Sequence, residues 1–523
     1  GNFTNTVDRE LFLGQNLGSN GVYTLNAGSL KVQGDVLVGD WGAGDFTQTG
    51  GVHTTSGNLI LGNQFEGRGS YILLNVGSLA VDSHTIIGWA GSANFIQNGG
   101  AHTVGKDLIL GQEIPVMESF YLLSAGNLAV TGGEYVGARA SGEFSQSGGT
   151  HTVAGSLILG EASGITGKFN LSGPASLTVG KTVLIGNLGA GEFTQTGGSH
   201  SVGSDLILGA DIDSSGTYDL SQDGRLTVGG QAIIGRLGNG VFTHSQGSHT
   251  ISGNLILGDQ ASSSGTYILT DTATLKVGGQ VSIGRLGHGA FIQTGGSHRV
   301  TDNLIIGQEN TFTPSSYLLS SGNLEVGGST IIAQAGEHVF YHFGGSHIPA
   351  QDLIIGREID GLGSYVMKDG SLSAGRHVII AQAGMGSFSQ VGGSHTVNQD
   401  LIMGQDRDAS GSYAMNFGSL TVRGREIIGG QGSGAFNHSG WDHTVSGDLT
   451  LREASGSTGS YDLSDIGRLS VAGALVIGNL GAGEFTQAGG TLTAANVKIN
   501  TGGTFNQTGG TFIPGTTCTV GAG

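Results

Sequence analysis

Nine of the 16 histidines recur in one register: His53, His102, His151, His200, His249, His298, His347, His395 and His443. Shortly before each stands a second polar position. It holds Gln48, Gln97, Gln146, Gln195, Gln293 and Gln390, with His244, His342 and His438 in the remaining places, and the column continues at Gln487. An imidazole column could bind metal or pass protons. The spacing opposes a shared metal. Successive histidines lie two turns of a stacked chain apart, roughly 9.6 Å at the strand spacing. Zinc needs nitrogen ligands at about 2.0–2.1 Å. No carboxylate column is expected on the same inner face. The reading adopted is a polar core of buried Gln–His pairs at the Gly-Gly corner, each member satisfying the other. Leu492 and Phe512 replace His while Gln487 and Gln507 remain, so Gln must also find backbone partners.

A second polar column holds Asn58, Asp107, Ser156, Asp205, Asn254, Asn303, Asp352, Asp400 and Asp448. Such side chains bond their own backbone in Asx turns, and a calcium ladder is the sharper alternative. Long loops at Gln112–Ser119, Ala210–Gly216, Gln308–Ser316 and Gln405–Gly411 carry further acids such as Glu113, and Glu358 stands in a loop of the same kind. Asp211, Asp213, Asp406 and Asp408 are the weak calcium candidates there. The β-roll calcium signature is absent. These loops are either a solvated edge or a binding edge. Hydrolases and lyases on repeat folds need clustered acids with Lys or Arg, or carboxylates about 5–9 Å apart. No such cluster is legible, so no catalytic residue, metal site or cofactor is assigned. The residues that follow the column histidines run Thr54, Thr103, Thr152, Ser201, Thr250, Arg299 and Ile348, which is too irregular for an ice-binding face.

The elements that hold these columns are repeats. The motif G-x-F-x-Q-x-G-G-x-H places Phe at 46, 95, 144, 193, 242, 291, 340, 388, 436 and 485. Between these runs a related motif, with Tyr218-Asp219-Leu220 leading to Leu226-Thr227-Val228 as one example. Both end in apolar-x-apolar-Gly, as in Leu59-Ile60-Leu61-Gly62. Period-2 alternation in three short stretches per half-repeat means three strands. Gly50-Gly51 and Ser56-Gly57-Asn58 supply corners. The fold class expected is all-β: a right-handed parallel β-helix with three short strands per coil, about 22 coils and a 49-residue double-coil repeat.

Stacked at about 4.8 Å, these coils would make a rod roughly 100 Å long. One coil cannot stand alone, because ordering its backbone costs about 1–2 kcal/mol per residue. Stability must come from stacking. A single continuous domain is expected, with 1–14 an incomplete coil, 15–500 the regular array and 501–523 the last coil.

Composition agrees. Of 523 residues 102 are Gly and only 5 are Pro, which excludes collagen. Hydrophobic residues make up 37%, too many for a disordered Gly/Ser chain. The net charge of −18 disfavours nucleic acid and anionic membrane surfaces. No apolar run is long enough to span a bilayer as a helix. Cys518 is the one cysteine, so no intrachain disulfide forms, and it is expected as an inward core residue. Gly1 in place of Met reads as a processed or trimmed N-terminus.

The phrases Phe193-Thr194-Gln195-Thr196-Gly197-Gly198, Tyr461-Asp462-Leu463-Ser464 and Leu226-Thr227-Val228-Gly229 resemble repeats of large bacterial surface or secreted proteins. These are autotransporter-passenger-like β-helices and exported Gly-rich repeat proteins. The resemblance implies an extracellular structural protein of a bacterium. The expected role is a subunit of a surface or matrix filament and not an enzyme. An adhesin binding through acidic loops, or a carbohydrate-active enzyme, is the alternative. The partner expected is the chain itself, with surface polysaccharide or other cells as further partners. Val7–Gly14 matches the end of a His coil, while Phe505–Gly521 fills the slot before one. Neither segment shows a polar cap, so copies are expected to stack head to tail.

Overall fold

The structure is a computed structural model that describes residues 3–113, 119–309, 313–480 and 482–521. The loops expected at 112–119 and 308–316 fall partly outside the described residues. All regular elements are β-strands, and successive turns pair in parallel about 24 residues apart. The chain is a parallel β-solenoid of about 21 turns. It divides into two compact units, Gly1–Gly253 with Gly258–Tyr267, and Asn254–Leu257 with Ile268–Gly523.

Within the first unit the third strands stack in one register. Val36, Leu59, Thr85, Leu108, Glu134, Leu157, Val183, Leu206 and Ala232 occupy equivalent places. The aromatic positions form a continuous pile of rings from Tyr23 through Phe46, Tyr71, Phe95 and Tyr121 to Tyr218, Phe242 and Tyr267. Neighbouring centroids lie 4.6–5.0 Å apart. The second unit repeats this from Phe291 to Phe505 at 4.6–5.2 Å. Strand spacing sets the ring spacing, so the backbone ladder imposes the stack.

Three strands per turn is the common pattern, but the corner between the first two is not always a break. Arg68–Val81, Ser92–Val104 and Thr166–Val179 each run through it as one strand, with register shifts at the corner. A bulge with Gly turns the chain there without ending the ladder. Corner glycines such as Gly198 sit at φ +64. Gly167 is inside a strand for a different reason. A Cβ there would lie 1.9 Å from the Val136 carbonyl oxygen, so the close approach of turns requires Gly.

A second apolar ladder lies outside the core. Ile60 alternates with Leu59 and Leu61, yet it is buried with Leu37 and Ile86 against Phe12, Trp89 and Ile109. Ile305, Ile331, Ile354 and Ile379 form the same stripe in the second unit. Cys518 departs from its expected place. It pairs in register with the buried Val497, but it is exposed because no described turn lies over it.

Candidate functional site

The column histidines and glutamines are buried, with His53, Gln48 and their counterparts 0–1% exposed. They do not satisfy one another directly, as the sequence suggested. A tyrosine hydroxyl from the following turn stands between them. The Tyr71 hydroxyl donates to Gln48 Oε1 at 2.7 Å and meets His53 Nδ1 at 3.0 Å. Gln48 Nε2 donates to the carbonyls of Gly51 and Ser78. Tyr121, Tyr218, Tyr317 and Tyr413 repeat this with Gln97, Gln195, Gln293 and Gln390. The ring of each column His also stacks on the Phe of its own turn, as His53 does on Phe46 at 4.9 Å.

This geometry fixes the protons. The carbonyls orient Gln, so Oε1 must accept from Tyr. The Tyr oxygen then accepts from His Nδ1–H, and the neutral ring carries a lone pair at Nε2. What that lone pair meets depends on the residue 17 positions earlier. Thr85 and Thr330 supply hydroxyls to His102 and His347 at 3.2 and 3.0 Å. Where Val36, Val183, Val281 or Val378 stands instead, Nε2 of His53, His200, His298 and His395 has no hydrogen-bond partner among the described residues. Burial disfavours the imidazolium and pushes His53 down to about 4 and His102, His200, His298 and His395 to about 3. Burial likewise raises the Tyr71 and Tyr218 hydroxyls well above their ordinary value.

Removing one hydroxyl tests the bridge. Tyr218→Phe strands Gln195 Oε1 and His200 Nδ1 in the core and should cost about 1–3 kcal/mol in equilibrium unfolding. The chain contains this arrangement once. Phe169 follows Gln146 and His151, and there Gln146 Oε1 and His151 Nδ1 have no hydrogen-bond partner among the described residues. An unchanged stability for Tyr218→Phe would refute the bridge.

Two isolated carboxylates do reach the inner face, although they form no column there. Glu134 Oε2 lies 2.8 Å from His151 Nε2, and Glu426 Oε2 lies 2.9 Å from His443 Nε2; all four side chains are 0% exposed. The second pair continues as a chain. His443 Nδ1 meets the Tyr461 hydroxyl at 2.9 Å, and His438 Nδ1 meets the same hydroxyl at 2.8 Å. His438 Nε2 reaches the Trp441 carbonyl at 2.9 Å and must donate to it. Tyr461 therefore donates to His438, and His443 donates to Tyr461. That leaves a lone pair on His443 Nε2 facing a carboxylate oxygen. The two atoms stand at ion-pair distance, but neither has a hydrogen-bond partner of good geometry among the described residues. At Glu134 the missing tyrosine leaves His151 Nδ1 without a partner as well, and the His151 Nε2–Glu134 contact likewise falls outside hydrogen-bond geometry among the described residues. The signal in the sequence was Glu at a place otherwise filled by Val, Thr, Leu or Ala.

The Asn/Asp column bonds the next turn rather than its own backbone. Asp107 Oδ1 accepts from Gly133 N at 2.7 Å, Asp205 Oδ1 from Gln231 N at 2.8 Å, and Asp448 Oδ1 from Ala474 N at 2.7 Å. These carboxylates accept from part-buried amides across turns. Of the loop acids, Asp211 accepts from the amide of Ile212, and Asp213 and Asp408 occupy the left-handed region at φ +62 and +67. Among the described residues no three His, Cys, Asp or Glu side chains converge as a metal site would require.

One outer groove does gather chemistry that the sequence reading missed. Phe120, Glu143, Lys168 and Glu192 lie in register on successive turns. They line a concave surface with Ser145 and Leu122. Lys168 Nζ is 2.9 Å from Glu192 Oε2, which raises the ammonium through hydrogen bond and charge. Asn170 Nδ2 donates to Glu143 Oε1 at 2.9 Å. The residues are far apart in sequence, and only the turn register brings them together.

Compared with known proteins, the chain matches no family model, no curated protein and no solved structure.

Proposed function

We propose that this β-solenoid is an extracellular structural protein, a subunit of a bacterial surface or matrix filament that assembles from copies of itself. The observation that carries the reading is repetition of the whole interior. The Tyr hydroxyl bridge to a Gln or His recurs every second turn in both units, with one break at Phe169, and stability is drawn from stacking. The outer rows include small polar side chains that bond along the turns, such as Thr49 to Asn26, Thr150 to Asn127 and Ser364 to Ser387. Electron microscopy and light scattering on the full chain over a concentration series test this. End-to-end particles that lengthen with concentration are expected. A single particle size at every concentration would refute self-assembly.

A second reading, a carbohydrate-active enzyme or adhesin, is favoured by the Phe120–Glu143–Lys168–Glu192 groove alone. Release of reducing ends from polysaccharide, lost in Glu143→Gln, would support it.

A further inference from the structure

The corner that follows the Gln position is glycine in turn after turn. Gly51, Gly100, Gly149, Gly198, Gly247, Gly296, Gly345, Gly393 and Gly490 all sit at positive φ, between +62 and +80. The equivalent residue after His438 is Trp441, at φ +65. A bulky side chain in this region is sterically strained. Burial does not compensate, because Trp441 is 51% exposed. The strained backbone is held from inside and from the next turn: the Trp441 carbonyl accepts from His438 Nε2 at 2.9 Å and from Arg468 N at 2.8 Å. Other departures from the repeat gather around it. Ile466 is exposed beside it, and Arg468 Nε donates to Asp442 Oδ1 at 2.7 Å. Trp441, Asp465, Ile466, Arg468, Gly490 and Thr491 line one shallow groove.

We propose that this groove is a saccharide-binding subsite, with the Trp441 indole as the platform. It goes beyond the filament reading and does not depend on it. An exposed, rigid indole takes the apolar face of a pyranose ring, and an adjacent carboxylate and guanidinium take its hydroxyls. One Arg with Asp442 and Asp465 gives a mixed hydrogen-bonding rim, which suits a neutral polyol. The chain's overall charge of −18 opposes a nucleic acid stacking on the same ring. Strain at an exposed position is retained where the displayed side chain has a use.

The test is titration of the full chain with cellohexaose, maltohexaose and chitohexaose, followed by indole fluorescence and calorimetry. At least one should bind and shift the emission. Trp441→Gly restores the residue found at the other corners, so it should raise the melting temperature while weakening that binding more than tenfold. Arg468→Gln should weaken binding and leave the fluorescence of the free protein unchanged. Absence of binding by all three sugars overturns the proposal. So does undiminished binding by Trp441→Gly. If Trp441→Gly instead abolishes self-association with no effect of sugar, the surface is a contact between copies and the proposal fails.

Discussion

The solenoid should lose its sheet structure between about pH 6 and pH 4.5, well above the acidity that unfolds most stable proteins. Burial lowers eight histidines to about 3 or 4, four in each compact unit: His53, His102, His200 and His244, then His298, His338, His395 and His438. The unfolded chain takes up these protons near the ordinary value of about 6.5. The native chain does not take them up until pH falls to about 3–4. Below 6.5 the unfolded state binds more protons, so stability falls with pH until the native values are reached. Each histidine contributes about 1.4 kcal/mol per pH unit in that window. Four per unit remove about 5.6 kcal/mol per pH unit. Whole domains are stable by about 5–15 kcal/mol. Two pH units below 6.5 therefore suffice. Easing of the net negative charge in acid acts in the opposite direction but is spread over a screened surface. Circular dichroism melts at pH 7.5, 6.0 and 4.5 check this. Equal melting temperatures at 7.5 and 4.5 would show that the histidines are not buried and neutral.

The fold was legible because its period is written in residues with one structural reading each. Phe and Tyr at equivalent places mark the inner face, and apolar-x-apolar-Gly marks each third strand. The Asn/Asp column was legible as a polar place but not in its partner. Asp107 and the amide of Gly133 are 26 residues apart and meet only across a turn. The same holds for the core bridge. His53 and Tyr71 belong to successive turns, so a reading within one half-repeat paired His with Gln and overlooked the hydroxyl between them. Glu134 and Glu426 were hidden for a simpler reason. Each stands alone in a column of mostly aliphatic residues, and a single charged residue in a strand reads as solvent-facing until its register is known.

The Glu426–His443 contact gives two substitutions with opposite expected signs. Glu426→Val installs the residue found at 36, 183, 281 and 378, so His443 becomes like His200, with a dry lone pair and no buried charge. Exchange of a buried ionic pair for apolar packing is neutral or stabilising by about 1–4 kcal/mol, and the variant should fall within that range at pH 7. His443→Leu matches the neighbouring turns, where Leu420 and Leu469 hold the same place. It leaves Glu426 in the core without its partner, which costs about 3–5 kcal/mol. The double variant Glu426→Val/His443→Leu removes both members. It should recover most of that loss, although Tyr461 then keeps only His438 as a side-chain partner. The cycle should therefore show a coupling of about 2–3 kcal/mol. Equilibrium denaturation of the four proteins measures it. Additive effects, or a Glu426→Val loss as large as that of His443→Leu, would mean that the two side chains are not coupled in the core. The comparison also separates the two halves of the relay. His438 and Tyr461 are untouched in every arm, so Trp441 keeps its inner support while the acid end is changed.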